Sequence, residues 1–152
     1  MTTTANGLDE LTALAGADLG HTGWMEITQP RVDTFADATD DHQWIHVDAA
    51  RAAAGPFGGT IAHGYLTLSL LIPLFGELLE VTGISMGINY GLNKVRFITP
   101  VPVGSKIRLA GRVVSVEPAG EGAVQLTASC TVELDGAARP ACVAEAIYRY
   151  YA

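Results

Sequence analysis

The sequence predicts an α+β domain in which an antiparallel β-sheet wraps around a long central α-helix. Three observations carry that prediction. From Tyr65 to Leu79 the chain is apolar on every side, which fits a helix surrounded by protein rather than one lying on a surface. From residue 84 onward the apolar period changes to two, the signature of strands with one buried face. Turn-forming breaks separate those alternating stretches, so a run of strands follows a helix, the element order of a sheet packed on a helix. One domain accounts for residues 1–152, and a chain of that length buries enough core to need neither disulfide nor metal.

Taken in order, Met1 to Gly7 reads as a short disordered lead-in. Trp24 to Ile27 is a short strand candidate. Thr28 and Gln29 precede Pro30, a proline placed as in a first helical turn, so a helix starts there. Val32, Phe35, Ala36 and Thr39 recur at helical spacing and form its buried stripe, while Arg31, Asp33, Asp37 and Asp40 stay wet. Asp48 caps a short helix, Ala49 to Ala54, which Gly55-Pro56-Phe57-Gly58-Gly59 breaks. Thr60 to Gly64 then leads into the apolar helix, where Pro73 removes one backbone bond and is expected to kink it.

The strand region begins with Met86, Ile88, Tyr90 and Leu92, after which the parity flips to Val95 and Phe97, and a bulge near Gly91 to Asn93 accounts for the flip. Thr99 to Gly104 turns the chain. A second strand starts at Ile107 and ends before Pro118. Val124, Leu126, Ala128, Cys130, Val132 and Leu134 alternate without a miss. Asp135-Gly136 supplies a hairpin turn, and Cys142 to Tyr151 is the last strand.

Composition narrows the function classes. The formal charge of −7 argues against nonspecific nucleic-acid binding, which needs a basic face. Residues 1–93 hold eleven acids and two bases and residues 94–152 five acids and seven bases, so the basic second half suits a local anion site. A solvated sheet face is the plainer account of the same charges. Only 16% of residues are charged, which predicts that part of the surface is covered by another copy of the chain. Cys130 and Cys142 belong to no Cys/His cluster and read as buried, reduced thiols, so no metal site is expected. No stretch near Met1 combines basic residues with an apolar run, and the expected compartment is the cytoplasm. The Tyr65 to Leu79 run is short for a membrane span and carries Pro73, Gly76 and Glu77, so no membrane partner is expected.

The chemistry concentrates between Thr39 and Asp48. Asp41 and His46 lie five positions apart, which on a regular helix places them roughly 140° round the axis from one another. They converge only if the stretch is a bent loop. A converging carboxylate and imidazole can move protons on and off a water near neutral pH. The alternative is structural, with Asp40 ending one helix, Asp48 capping the next and His46 a hydrogen-bonded core residue. Gly64, opening the apolar helix, leaves N–H groups that no side chain blocks, a setting for a developing oxyanion.

Phe35 to Asp48 (Phe-Ala-Asp-Ala-Thr-Asp-Asp-His-Gln-Trp-Ile-His-Val-Asp), followed by Gly58-Gly59-Thr60-Ile61-Ala62-His63-Gly64, resembles the hydratase motif of the MaoC-like (R)-specific enoyl-CoA hydratases. The resemblance runs from about Ile27 to the C-terminus and includes Asn93 to Val101. It implies a hot-dog fold, a homodimer or higher homo-oligomer, and no cofactor beyond the CoA that is part of the substrate. By position it implies that Asp41 and His46 are the catalytic dyad, Gly64 the oxyanion-stabilising N–H donor, and Ser69 a serine supporting the dyad. Read without the family, Ser69 is a small residue easing helix packing and His63 closes a turn.

The implied reaction is syn addition of water to a trans-2-enoyl thioester, giving an (R)-3-hydroxyacyl thioester, with the reverse dehydration, as part of fatty acid metabolism. The adenosine phosphates of CoA need cations, and Lys94, Arg96 and Lys106 are the candidates, at positions that the resemblance does not specify. The family pattern reads glycine, aspartate, any residue, asparagine, proline, aliphatic, histidine; here Asp40 replaces the glycine, Gln43 the asparagine and Trp44 the proline. That wording is more like the subgroup similar to nodulation protein N. Besides the hydratase, the sequence admits a 3-hydroxyacyl-ACP dehydratase, a hot-dog thioesterase, or a non-catalytic acyl-thioester-binding protein.

Overall fold

The computed structural model describes residues 1–152. It begins with an ordered clasp where the sequence predicts a loose lead-in. Strand β1 (Thr3–Asn6) pairs in parallel with Leu79–Thr82, and helix α1 (Gly7–Thr12) follows it. Ala5 and Leu11 are buried, and the Thr2 hydroxyl donates to the carbonyl of Glu77 at 2.8 Å. The pairing partner lies across the whole central helix in sequence, so no local pattern in the first seven residues announces the strand. Strands β2 (Asp18–His21) and β3 (Met25–Glu26) then lay two short segments beside one long strand of the main sheet.

Helix α2 (Gln29–Thr39) starts where expected: the Thr28 side chain accepts from the Arg31 N–H, satisfying one of the free donors of the first turn. Val32 and Ala36 are buried and Phe35 partly so. Thr39 departs from the expected stripe, being exposed with its hydroxyl turned back to the Phe35 carbonyl. Asp40 ends the helix in the left-handed region (φ 59°), where glycine is favoured and aspartate is among the few side chains tolerated. One helical turn, α3 (Trp44–Val47), and the short α4 (Ala49–Ala53) follow, with the Asp48 carboxylate capping α4 through the Arg51 N–H at 3.0 Å.

The apolar segment forms two pieces, α5 (Gly64–Ser69) and α6 (Leu71–Leu78), rather than one helix to Leu79. Pro73 has no N–H for the carbonyl four residues back, that of Ser69, and its ring crowds that carbonyl, so the join at Leu70 loosens. Nor is the segment covered on every side: Tyr65 is 71% exposed and Ile72 48%. Strand β4 (Leu79–Thr82) closes the clasp against β1.

The four long strands are β5 (Met86–Phe97), β6 (Lys106–Pro118), β7 (Ala123–Leu134) and β8 (Cys142–Tyr151). They pair antiparallel in the order β2-β6-β7-β8-β5, with β3 also on β6. Strand β5 carries two register shifts, one skipping Tyr90 and one skipping Asn93, rather than the single bulge expected; the two cancel in parity, so Met86 and Ile88 face away from the side on which Val95 and Phe97 lie. The expected turn at Asp135-Gly136 opens a longer connection before β8, with Gly136 at φ 75°.

Leu71, Leu74, Phe75 and Leu78 of α6 pack on Ile107, Leu109, Val113, Leu126 and Cys130 from the sheet. The approach is close at Gly111, where a Cβ would meet Leu78 Cδ1 at 2.8 Å. Both cysteines are buried and unpaired, and burial raises the Cys130 thiol to about 12. No helix is long and apolar enough to cross a membrane.

Candidate active site

The bend that Asp41 and His46 require is built by the left-handed residue Asp40, the loop through Gln43 and the single turn of α3. One side-chain donor atom each of Asp41, His46 and His63 lies within 4.8 Å of the others. Asp41 is exposed, whereas His46 is 6% and His63 2% exposed, so the carboxylate meets solvent and the imidazoles do not.

The hydrogen bonds decide where the proton sits on His46. Its Nδ1 lies 2.7 Å from the main-chain carbonyl of Ile61, and a carbonyl only accepts, so Nδ1 carries the hydrogen and Nε2 the lone pair. Burial holds the imidazole pKa below its ordinary value against the opposing pull of that bond, which keeps Nε2 a free base near neutrality. The Ile61 N–H returns to the carbonyl of Ile45 at 3.0 Å, stapling the turn to the segment before the central helix.

Two further residues hold this loop. The Gln29 amide donates to the His46 carbonyl and to Asp33 Oδ1, both at 2.8 Å, and accepts from the Thr60 hydroxyl at 2.7 Å. His63 donates from Nε2 to the Asp41 main-chain carbonyl at 2.9 Å, and its ring stacks on that of His46 with centroids 3.8 Å apart and planes 23° from parallel. Near-parallel rings direct their in-plane lone pairs side by side, not at one point. That geometry fits poorly a metal ion shared by both imidazoles.

His46 lines a cavity of about 280 Å³ with Ile61, Gly64, Thr67, Phe97 and Thr99. The Gly64 N–H donates to no acceptor in the chain. A side chain there would be crowded, since a Cβ would meet the Phe97 ring at 3.0 Å. The structure therefore sets His46 and Gly64 on one cavity, with Asp41 close to His46 but not among the residues lining that cavity.

It does not bring Ser69 there. Ser69 is exposed, its hydroxyl donates to the Tyr65 carbonyl at 2.7 Å, and it lines a separate groove with Leu68, Ile72, Tyr90 and Leu92. The helix side chain at the cavity is Thr67, two residues earlier and 3% exposed. Lys94, Arg96 and Lys106 are all exposed and none lines the cavity; Lys94 lies on a shallow pocket with Ser129 and Glu145. Sequence reasoning missed the hydrogen bonds of Gln29, the contacts of His63 with Asp41 and His46, and Thr67. The only local signal was His63, polar in an apolar run next to Gly64.

Comparison with known proteins gives matches along most of the chain. The model of the MaoC like domain matches residues 10–133. 3-Hydroxyacyl-thioester dehydratase Z of Mycobacterium tuberculosis is 57% identical over 149 residues, spanning 98% of this chain and 99% of that protein. Nodulation protein N of Rhizobium leguminosarum bv. viciae is 47% identical over 141 residues, spanning 90% and 86%. Among solved structures, the (R)-hydratase from A. caviae involved in PHA biosynthesis superposes with a TM-score of 0.69 at 25% identity, over 88% of this chain and 94% of that one. The fold is a hot-dog fold.

Proposed function

The chain belongs to the MaoC-like family, and on that premise we propose that it is an (R)-specific enoyl-CoA hydratase, running reversibly as a 3-hydroxyacyl-thioester dehydratase. The observation that carries this reading is the hydrogen bonding of His46: a buried imidazole with its Nδ1–H spent on the Ile61 carbonyl, close to the Asp41 carboxylate and on a cavity that Gly64 also lines.

A water between the Asp41 carboxylate and His46 Nε2 is oriented by both. As its oxygen bonds to C3, Nε2 takes its proton, and the imidazolium, steadied by Asp41, returns a proton to C2 on the same face, which makes the addition syn. Electron density moves onto the thioester oxygen, where the Gly64 N–H stabilises it; removing such a donor typically costs roughly 2.7–4 kcal/mol of barrier. The substrate is the acyl thioester itself, and this sequence of steps uses no other cofactor.

A carrier-protein thioester is the second reading, a 3-hydroxyacyl-ACP dehydratase. It is favoured by the absence of Lys94, Arg96 and Lys106 from the cavity, which leaves the phosphates of CoA without those partners. A second copy of the chain is the expected cover for β5, an edge strand that exposes Met86, Ile88, Tyr90 and Leu92.

The test is to incubate the purified chain with crotonyl-CoA and crotonyl-ACP, following enoyl absorbance, free thiol and product chirality. Loss of absorbance without thiol, giving the (R)-alcohol, supports hydration, and the ratio of kcat/KM values identifies the carrier. Thiol release identifies a thioesterase, and no change in either signal a binding protein. Light scattering of the purified chain reports the oligomer.

A further inference from the structure

We propose that His63 is a positioning residue that braces Asp41 and His46 against one another, an inference that rests on reading those two as the proton-transfer pair. Three contacts meet on its ring. One edge donates to the main chain of Asp41, one face lies on the imidazole of His46, and Phe35 of α2 tilts against it with centroids 4.9 Å apart. A single rigid ring thus spans the two groups whose separation decides whether a water fits between them.

The remaining nitrogen makes the case. Because Nε2 donates to a carbonyl, the lone pair of neutral His63 falls on Nδ1, and Nδ1 is buried without a partner. An unpaired buried acceptor costs desolvation energy that an apolar ring of the same shape avoids. Packing alone therefore favours phenylalanine at this position. Histidine supplies what phenylalanine lacks, a donor for Asp41, while keeping the flat face for His46. That face matters when His46 takes up a proton, since the His63 ring lies against the new cation. The titratable groups facing His63 are His46 and Asp41, and Phe35 carries no charge.

The experiment uses nitrogen-15 spectra of the histidine rings, with crotonyl-CoA kinetics, on the wild-type chain, His63→Gln and His63→Phe. In the wild type, His63 is expected to hold its hydrogen on Nε2 and His46 on Nδ1. His63→Phe keeps the stack and loses the donor, so kcat falls about 100-fold with KM little changed, as for a reacting group displaced by an ångström or so. His63→Gln restores an N–H for the Asp41 carbonyl and recovers most of that loss. His63 found with its hydrogen on Nδ1, or His63→Phe turning over like the wild type, or glutamine failing to improve on phenylalanine, each overturns the brace. A wild-type chain inactive on enoyl thioesters instead overturns the reaction assigned above, while the ring tautomers and the Asp41 amide shift in His63→Phe still decide the brace.

Discussion

His46 and Ile61 are joined through a side chain and a main chain fifteen residues apart: the imidazole Nδ1 donates to the Ile61 carbonyl at 2.7 Å. This bond sets the tautomer, and the tautomer sets the chemistry, because only the opposite nitrogen is left to take a proton.

Removing either member of the pair is expected to stop turnover without unfolding the chain. Asp41→Asn and His46→Gln should each lower kcat by about 10²–10⁴-fold, the usual contribution of a positioned acid or base. Circular dichroism and crotonyl-CoA hydration measured on the same samples check this, and near-normal rates in both variants count against the site.

Acid should weaken both activity and stability. Since burial puts the folded pKa of His46 below the ordinary 6.5, the unfolded chain takes up the proton first as pH falls. Stability present above about pH 6.5 is therefore lost on going down through the folded value, and the acid limb of kcat/KM lies below 6.5 as well. His42 runs the other way, its pKa raised by its hydrogen bond to Asp37, but the pair is exposed and screened. Urea titrations at a series of pH values should show the slope, and His46→Gln should flatten it.

Gln29→Ala should damage catalysis from outside the cavity. The Thr60 hydroxyl and the His46 carbonyl both lose their partner, at a cost of about 1–3 kcal/mol in stability. The turn carrying His46 is then free to shift, so kcat falls further than stability alone explains. Thermal melts paired with steady-state kinetics separate the two effects.

Gly111→Ala tests the fit between helix and sheet. A methyl group placed 2.8 Å from Leu78 Cδ1 overpacks a side chain that is 2% exposed, and overpacking of this kind costs typically about 1–3 kcal/mol. Denaturant midpoints should fall accordingly, with KM for crotonyl-CoA nearly unchanged.

Deleting residues 1–6 should lower the melting temperature, because it strips β4 of its only paired strand and uncovers the end of α6. The matched family region begins at residue 10, so the clasp adds to the domain from outside it. Calorimetry of the shortened chain measures its contribution, and an unchanged melting temperature argues that the clasp is idle.

Much of this molecule was legible from its residues. Unbroken alternation marked β7, the run from Ile107 to Val113 marked the start of β6, and the change of parity near Gly91 to Asn93 marked the bulged stretch of β5, because one-sided burial of a strand repeats every two residues. The capping of α2 by Thr28 and of α4 by Asp48 followed from side chains that bond to free N–H groups locally. Asp41 and His46 could be singled out as candidates because they lie in one contiguous stretch. Gln29 was not, since its partners Thr60 and His46 meet it only after folding.

By itself, then, the sequence determined the elements whose cause is local: period, caps, turns and the five-residue spacing of Asp41 and His46. The tertiary structure decided everything that depends on distant partners. It ordered β1, whose mate comes after the central helix, and it assigned the proton on His46 through Ile61. It also turned Thr67 rather than Ser69 to the cavity: two residues on a helix are roughly 200° apart, so facing depends on rotation about the axis, which packing around the Pro73 break sets.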